Sequence, residues 1–355
     1  MSTTRLSVAA RTDAGRVRDN NEDSFTVADL NTGERIDDPS AMDGILVKDR
    51  GVLLVVSDGM GGHAAGEVAS ALVVDSLRGT LGEMDDHSES AHQRLEEAVK
   101  RVNANVYEAA RSSAREGMGA TLTAVVVHQR EAYIAEVGDS RAYVLRRGRL
   151  RQMTKDQSFV QMLIDSGAIT TDQAKNFFQK NWIVQAMGLE ANVHVALGRL
   201  QLRTGDRLLI CSDGLYSLVE EHELAELLAG DDLTQACHQM IDLANERGGT
   251  DNVTAIVALI ESQDLPFAGH DESVTQTFEV LKEYAGEKIV DPSRSDSRAA
   301  STLPPSDSQD SKPQSQIQTV RPPAPDNGKS SFFIIILGIL ALIVVALLGY
   351  WFFSS

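Results

Sequence analysis

Four acidic segments have the residue types and spacing for chemistry: Glu22-Asp23, Asp58-Gly59, Asp213-Gly214 and Asp251-Asn252. Asp58 closely follows an apolar run at 52–56, Asp213 follows a second at 208–211, and Asp251 immediately precedes a third at 252–260. Carboxylates at strand ends are held rigidly and can converge above a sheet edge. Hard oxygen ligands of this sort select Mg²⁺ or Mn²⁺ over zinc. Gathered together they repel unless cations offset them, and two ions can share a bridging carboxylate and a bridging water. Such a pair lowers the pKa of the water and neutralises a phosphate oxygen. Any one of these aspartates also reads as an ordinary turn or cap residue. Their shared placement at strand ends is what points to a metal site.

The elements that must position them can be read from hydrophobic periodicity. The run at 52–56 predicts a buried strand that stops at Ser57, and Gly59, Gly61 and Gly62 then turn the chain before a helix begins near Ala64. Helical spacing continues over 64–81 and again over 91–111, where Leu95, Val99, Val102 and Val106 recur at three and four. The period then falls to two, predicting strands at 121–127, 132–137 and 141–145, with a hairpin through Arg147-Gly148 into 150–153. Residues 155–181 read as two short polar helices, with Thr170 or Thr171 as an N-cap. A core strand at 208–212, helices at 220–228 and 233–246, and a last strand at 252–260 follow. Strands and helices come in clusters rather than alternating, which predicts an α+β fold with largely antiparallel sheet.

Composition bounds the function. The formal net charge of -18 excludes a basic nucleic-acid footprint, so no nucleic-acid partner is expected. Cys211 lies in an apolar strand and Cys237 in a helical stretch, so neither a disulfide framework nor a zinc finger is expected. The start of the chain has no apolar segment of the signal-peptide kind. Residues 263–290 keep slight amphipathic patterning, with a short helix expected at 274–284, and 263–330 as a whole reads as a Pro- and Ser-rich linker. From Phe332 to Phe353 the chain carries no charge and has aromatic residues at both ends. That length spans a bilayer as one helix, so 331–353 is expected to be a transmembrane anchor. Lys329 before the span, with no charge after it, orients the body of the chain towards the cytoplasm.

Six motifs in order carry a resemblance: Arg18-Asp-Asn-Asn-Glu-Asp23, Ser57-Asp-Gly-Met-Gly-Gly62, Met118-Gly-Ala-Thr-Leu122, Val137-Gly-Asp-Ser-Arg141, Ser212-Asp-Gly-Leu215 and Gly249-Thr-Asp-Asn252. Over roughly residues 5–262 the chain resembles the bacterial form of the metal-dependent serine/threonine protein phosphatases of type 2C, the PPM family. The resemblance implies a four-layer αββα sandwich at 1–262, with two ions, Mn²⁺ or Mg²⁺, in a cleft at one end. It implies that Asp58 bridges both ions, that the Gly59 carbonyl binds one, and that Asp213 and Asp251 hold the second. Glu22 and Asp23 supply one direct and one water-mediated or outer carboxylate, in either order. Asp139 corresponds to the acidic residue for a weaker third ion, and Arg18 to the arginine that grips phosphate. The implied reaction is direct in-line attack by metal-bound water or hydroxide on phosphoserine or phosphothreonine, without a covalent enzyme intermediate. The implied partners are phosphoproteins, with a Ser/Thr protein kinase and its substrates among them. With the anchor, the expected location is the inner (plasma) membrane, single-pass, with the catalytic domain cytoplasmic.

Two departures bear on mechanism. Eukaryotic members place a histidine after the first Asp-Gly, where this chain has Met60, and His63 does not align with it. The segment 155–188 corresponds to the flap over the cleft, yet it carries Asp156-Gln-Ser158 and Asn176-Phe-Phe-Gln-Lys-Asn181 in place of the histidine-containing pattern common in bacterial relatives. Arg141 and Thr121 are read as structural supports.

Overall fold

The computed structural model of the chain describes residues 3–36, 43–61, 64–84, 90–111, 117–175, 177 and 182–284. In chain order the strands are β1 (Arg5–Asp13), β2 (Asp23–Asp29), β3 (Glu34–Arg35), β4 (Ile45–Leu46), β5 (Val52–Met60), β6 (Gly119–Ala120), β7 (Leu122–His128), β8 (Glu131–Val137), β9 (Arg141–Arg146), β10 (Arg149–Gln152), β11 (Ala196–Gln201), β12 (Arg207–Cys211), β13 (Val253–Glu261) and β14 (Phe278–Lys282). The helices are α1 (Ala64–Glu83), α2 (Ala91–Ala110), α3 (Phe159–Asp165), α4 (Thr171–Lys175), α5 (Asp213–Tyr216), α6 (Glu221–Leu228) and α7 (Leu233–Glu246).

Antiparallel pairing builds two sheets, in the orders β10-β9-β12-β13-β1-β4 and β14-β11-β8-β7-β5-β2-β3, with β6 pairing the end of β5. Period-two alternation divides each central strand between two cores. In β5, Val52, Leu54 and Val56 face a core shared with Leu6, Ile210 and Ile256 of the other sheet. Leu53 and Val55 face the opposite way, onto Val73 and Leu77 of α1 and Leu95 and Val99 of α2. In β13, Ile256, Ala258 and Ile260 join the core between the sheets. Val253, Ala255 and Val257 pack instead with Leu224 of α6 and Met240 and Ile241 of α7. The layers are therefore helix, sheet, sheet, helix, an α+β antiparallel sandwich as expected from the clustered elements.

Three expectations change. β5 does not stop at Ser57 but runs through Asp58 and Gly59 to Met60, because β6 supplies ladder partners, Ala120 for Gly59 and Gly119 for Met60. The expected helix at 274–284 is one 3₁₀ turn, Val274–Gln276, followed by strand β14. A short weakly patterned segment has no strong preference of its own, and β14 satisfies its backbone by pairing with β11. Residues 278–282 thus belong to the sheet rather than to a linker. At the N-terminus of α4 the capping residue is Thr170, whose Oγ1 accepts the Gln173 N–H at 3.3 Å. Among the described residues no helix is long and apolar enough to cross a membrane, and the anchor expected at 331–353 lies outside them.

Candidate active site

One end of the sandwich gathers the acidic residues. β2 begins at Asp23, which lies directly opposite Asp58 in the β2–β5 register. Asp213 opens α5 where β12 ends, and Asp251 precedes β13 by two residues. Asp139 lies in the turn between β8 and β9. The C-terminal ends of β5, β8 and β12 and the N-terminal ends of β2 and β13 therefore bring five aspartates to the same edge.

Hydrogen bonds fix this edge. Ser212 Oγ donates to Asp23 Oδ2 at 2.7 Å and accepts the Thr254 N–H at 3.0 Å, so one hydroxyl ties the strands carrying Asp23, Asp213 and Asp251. Asn252 Nδ2 donates to the carbonyls of Ala14 at 2.9 Å and Asn20 at 2.8 Å, while its Oδ1 accepts the Glu22 N–H at 2.8 Å. Asn252 thereby shapes the loop that carries Arg18. The Thr121 hydroxyl accepts the Asp58 N–H at 2.9 Å and pairs with Ser140 Oγ at 2.7 Å, a support of the kind expected for it. The Gly59 N–H donates to the Glu22 carbonyl at 3.1 Å. A Cβ at Gly59 would collide with the Gly66 carbonyl of α1, and one at Gly214 with the Asn252 carbonyl. Both Asp-Gly pairs need glycine for this close approach of backbones. The Glu22 carboxylate lies against Gly66 in the first turn of α1.

Electrostatics set this edge apart. Burial drives the Asp58 carboxyl well above its ordinary range, and Asp23, Asp213, Asp139 and Asp251 push it the same way. Burial raises Asp23 to about 7 against the hydroxyls of Ser212 and Thr254, with Asp213 and Asp251 adding to the rise. Asp139 is pushed well up by burial and by Asp213 and Asp156, with Arg141 opposing. Asp23 Oδ1 is buried with no hydrogen-bond partner. Shared desolvation and repulsion of this kind are relieved by protons or by cations. Among the described residues no three His, Cys, Asp or Glu side chains already close on one point as a metal cage. The donor set, all hard oxygen with an orphaned carboxylate atom, still fits Mg²⁺ or Mn²⁺.

Arg18 Nη2 donates to Asp251 Oδ2 at 2.8 Å, and this bond raises the guanidinium pKa, with Glu22 and Asp58 adding attraction. Its side chain is 54% exposed, so the pair is screened by water and readily exchanged. Arg141 is a structural support, as expected. It grips Asp156 with Nε at 2.8 Å and Nη2 at 2.6 Å and stacks 3.6 Å over the Tyr216 ring. The Tyr216 hydroxyl donates to the Asp139 carbonyl at 2.9 Å. Asp156 and Gln157, at the base of the flap, thus brace this edge, since Gln157 Oε1 also accepts the Gly138 N–H at 2.9 Å.

All the residues singled out from sequence, Arg18, Glu22, Asp23, Asp58, Gly59, Asp139, Asp213 and Asp251, fall on this edge. Ser212, Asn252 and Tyr216 were not singled out. The signal for Ser212 and Asn252 is their place in the motifs Ser212-Asp-Gly-Leu215 and Gly249-Thr-Asp-Asn252, which assigns them no role of their own. Gly62, His63, Asn176 and residues 178–181 lie outside the described residues.

The sequence profile described as protein phosphatase 2C matches residues 28–257. The chain is 39% identical over 263 residues to the serine/threonine protein phosphatase PstP of Mycobacterium tuberculosis, covering 73% of this chain and 46% of that protein. It therefore spans about half the length of those curated relatives. It is 37% identical to the serine/threonine phosphatase stp of Listeria monocytogenes, covering 74% of this chain and 98% of that one. A crystal structure of the PstP catalytic domain in complex with two manganese ions superposes with a TM-score of 0.60 at 37% identity, covering 73% of this chain and all of that one. A structure of the Streptococcus agalactiae serine/threonine phosphatase gives 0.64 at 32% identity, covering 72% of this chain and 100% of that one.

Proposed function

Because this chain belongs to the protein phosphatase 2C family and carries its serine/threonine phosphatase catalytic domain, we propose that the protein hydrolyses phosphoserine and phosphothreonine in other proteins. The observation that carries the proposal is the meeting of five buried or half-buried aspartates with one exchangeable arginine at a single sheet edge. Asp58, the Gly59 carbonyl, Asp213, Asp251, Glu22 and Asp23 would hold two divalent cations, with Asp139 serving a weaker third. Bound there, the ions supply a nucleophilic water at neutral pH and offset negative charge on the phosphoryl oxygens.

The chain's own residues do the rest. Arg18 spends one N–H on Asp251 and has further donors in a rigid fork for phosphate oxygens. Asn252 pins the loop that carries Arg18, which keeps its guanidinium at the acid edge. Ser212 orients the Asp23 carboxylate and Thr121 fixes the backbone of Asp58, so the edge needs little reorganisation. The reaction forms one P–O bond from water and breaks the ester P–O bond, releasing inorganic phosphate and the free serine or threonine hydroxyl.

The uncharged stretch at 331–353 supports a single-pass anchor in the inner (plasma) membrane, with the catalytic domain cytoplasmic. Chain beyond Tyr284 would act as the tether. A Ser/Thr protein kinase and its substrates are the proposed partners.

The test is hydrolysis of p-nitrophenyl phosphate and of a phosphothreonine peptide with Mn²⁺, Mg²⁺ or EDTA. Asp213→Ala should abolish metal-dependent turnover, and Arg18→Ala should lose most at low substrate. A folded, metal-loaded protein with no turnover on either substrate sinks the proposal.

A further inference from the structure

A cavity of about 570 Å³ lies between the flap helix α3 and the sheet edge formed by β8, β11 and β14. Its size is within the range that holds small organic molecules. Ile134, Met153, Leu197 and Phe278 give it apolar walls. Glu136, on β8, is set in that wall and is only 3% exposed. Its Oε2 accepts the Lys155 N–H at 2.9 Å, whereas its Oε1 is shut off from water without a hydrogen-bond partner.

An orphaned carboxylate oxygen at this depth is costly, and it is the kind of group a buried donor satisfies. The rim has the same sign. Four carboxylates line the cavity, Glu136, Asp156, Asp165 and Glu283, against two lysines. Lys155 is held by Asp165 at 2.7 Å, Lys282 by Glu96, and Asp156 by Arg141 at 2.6 Å. Glu136 and Glu283 are thus the two lining carboxyl groups that no lysine or arginine holds among the described residues. Burial pushes the Glu136 carboxyl well above its ordinary range, a penalty that a cation would offset.

We propose that this cavity is a second binding site, distinct from the acid edge, for a small protonated amine carried on an apolar body. The apolar part fills the space between α3 and the sheet, and the ammonium reaches the Glu136 carboxylate. The site is connected to the acid edge through two of its own lining residues. Asp156 holds Arg141, and Gln157 holds the backbone of Gly138 beside Asp139. An occupant thus touches the base of the flap.

The probe is 2-phenylethylamine at neutral pH, with 2-phenylethanol and 3-phenylpropionate as neutral and anionic counterparts, followed by saturation-transfer NMR and calorimetry on the full chain. No phosphatase assay enters, so this test stands or falls apart from the catalytic reading. The amine should bind about tenfold more tightly than the alcohol, the scale of one charge-assisted hydrogen bond, and the anion should not bind. Ala196 faces Glu136 across the β8–β11 pair, so Ala196→Phe should fill the cavity and abolish binding of amine and alcohol alike. Met162→Trp fills it from the flap side should the first variant fail to fold. Glu136→Gln should leave the alcohol unchanged and erase the preference for the amine. The proposal is overturned if amine and alcohol bind equally to the native chain. It is also overturned if amine binding survives filling of the cavity, or if it is lost in Asp213→Ala, which would assign the amine to the acid edge.

Discussion

The molecule buries charge in two ways, and the contrast separates structure from chemistry. Arg146 and Asp206 are 2% and 1% exposed in their side chains and hold each other through bonds of 2.7 Å and 2.6 Å. Thr277 Oγ1 and the Gln201 carbonyl accept two further donors of Arg146, at 2.6 Å and 3.0 Å, and Glu272 Oε1 lies 3.6 Å from its Nη1. The two charges there are opposite and directly paired. At the acid edge the buried groups share one sign, and Asp23 Oδ1 has no partner at all. A satisfied buried pair fixes the C-terminal turn and strand to the sandwich. A set of like charges with an orphaned carboxylate oxygen is held in place by the rest of the fold and is relieved by protons or cations.

The largest effect expected from this contrast is on activity. Asp58→Asn should reduce turnover by about a thousandfold, the scale of several kcal/mol of lost transition-state stabilisation, while the metal-free protein becomes no less stable. Kinetics and urea unfolding of the same preparation check both halves. Asp206→Ala should do the reverse, lowering stability by about 3–5 kcal/mol because Arg146 is left buried and unpaired, with metal dependence unchanged.

Sequence makes the acid edge visible and hides the Arg146–Asp206 pair. Asp58 and Asp213 each follow an apolar run and precede glycine, a local pattern that survives in the fold. Even so, the ladder with β6 that carries β5 past Ser57 depends on residues some 60 positions away, beyond the reach of periodicity. Arg146 and Asp206 are separated by 60 positions, and neither sits in a pattern that distinguishes it from surface charge. The strand at 278–282 was misread as helix because its shape comes from pairing with β11, not from its own preference. Nothing in the sequence separates Glu136 from any other charged residue in a strand, and it is burial in the fold that singles it out.

pH gives a smaller effect with a definite sign. Asp23 sits at about 7 in the folded chain against an ordinary value near 3.8, and Asp58 and Asp139 shift the same way. The folded metal-free state thus holds protons that the unfolded state has released. Its stability should fall as pH rises from about 4 to about 7. Urea midpoints in EDTA at pH 5 and pH 8 measure this, and Asp23→Asn should flatten the slope. A midpoint that rises with pH would contradict the electrostatic reading. The smallest effect expected is from Asn252→Ala. Removing three hydrogen bonds to the Arg18 loop should raise KM several-fold and cost about 1–3 kcal/mol of stability, with kcat much less affected.

The most direct test is a calorimetric titration of Mn²⁺ into the EDTA-stripped chain, run beside turnover of a phosphothreonine peptide. Two equivalents of tightly bound Mn²⁺, with turnover appearing as they bind and both lost in Asp58→Asn, is the expected result. A folded chain that binds no Mn²⁺, or one whose turnover is indifferent to EDTA, would contradict the assignment of the acid edge as the catalytic centre.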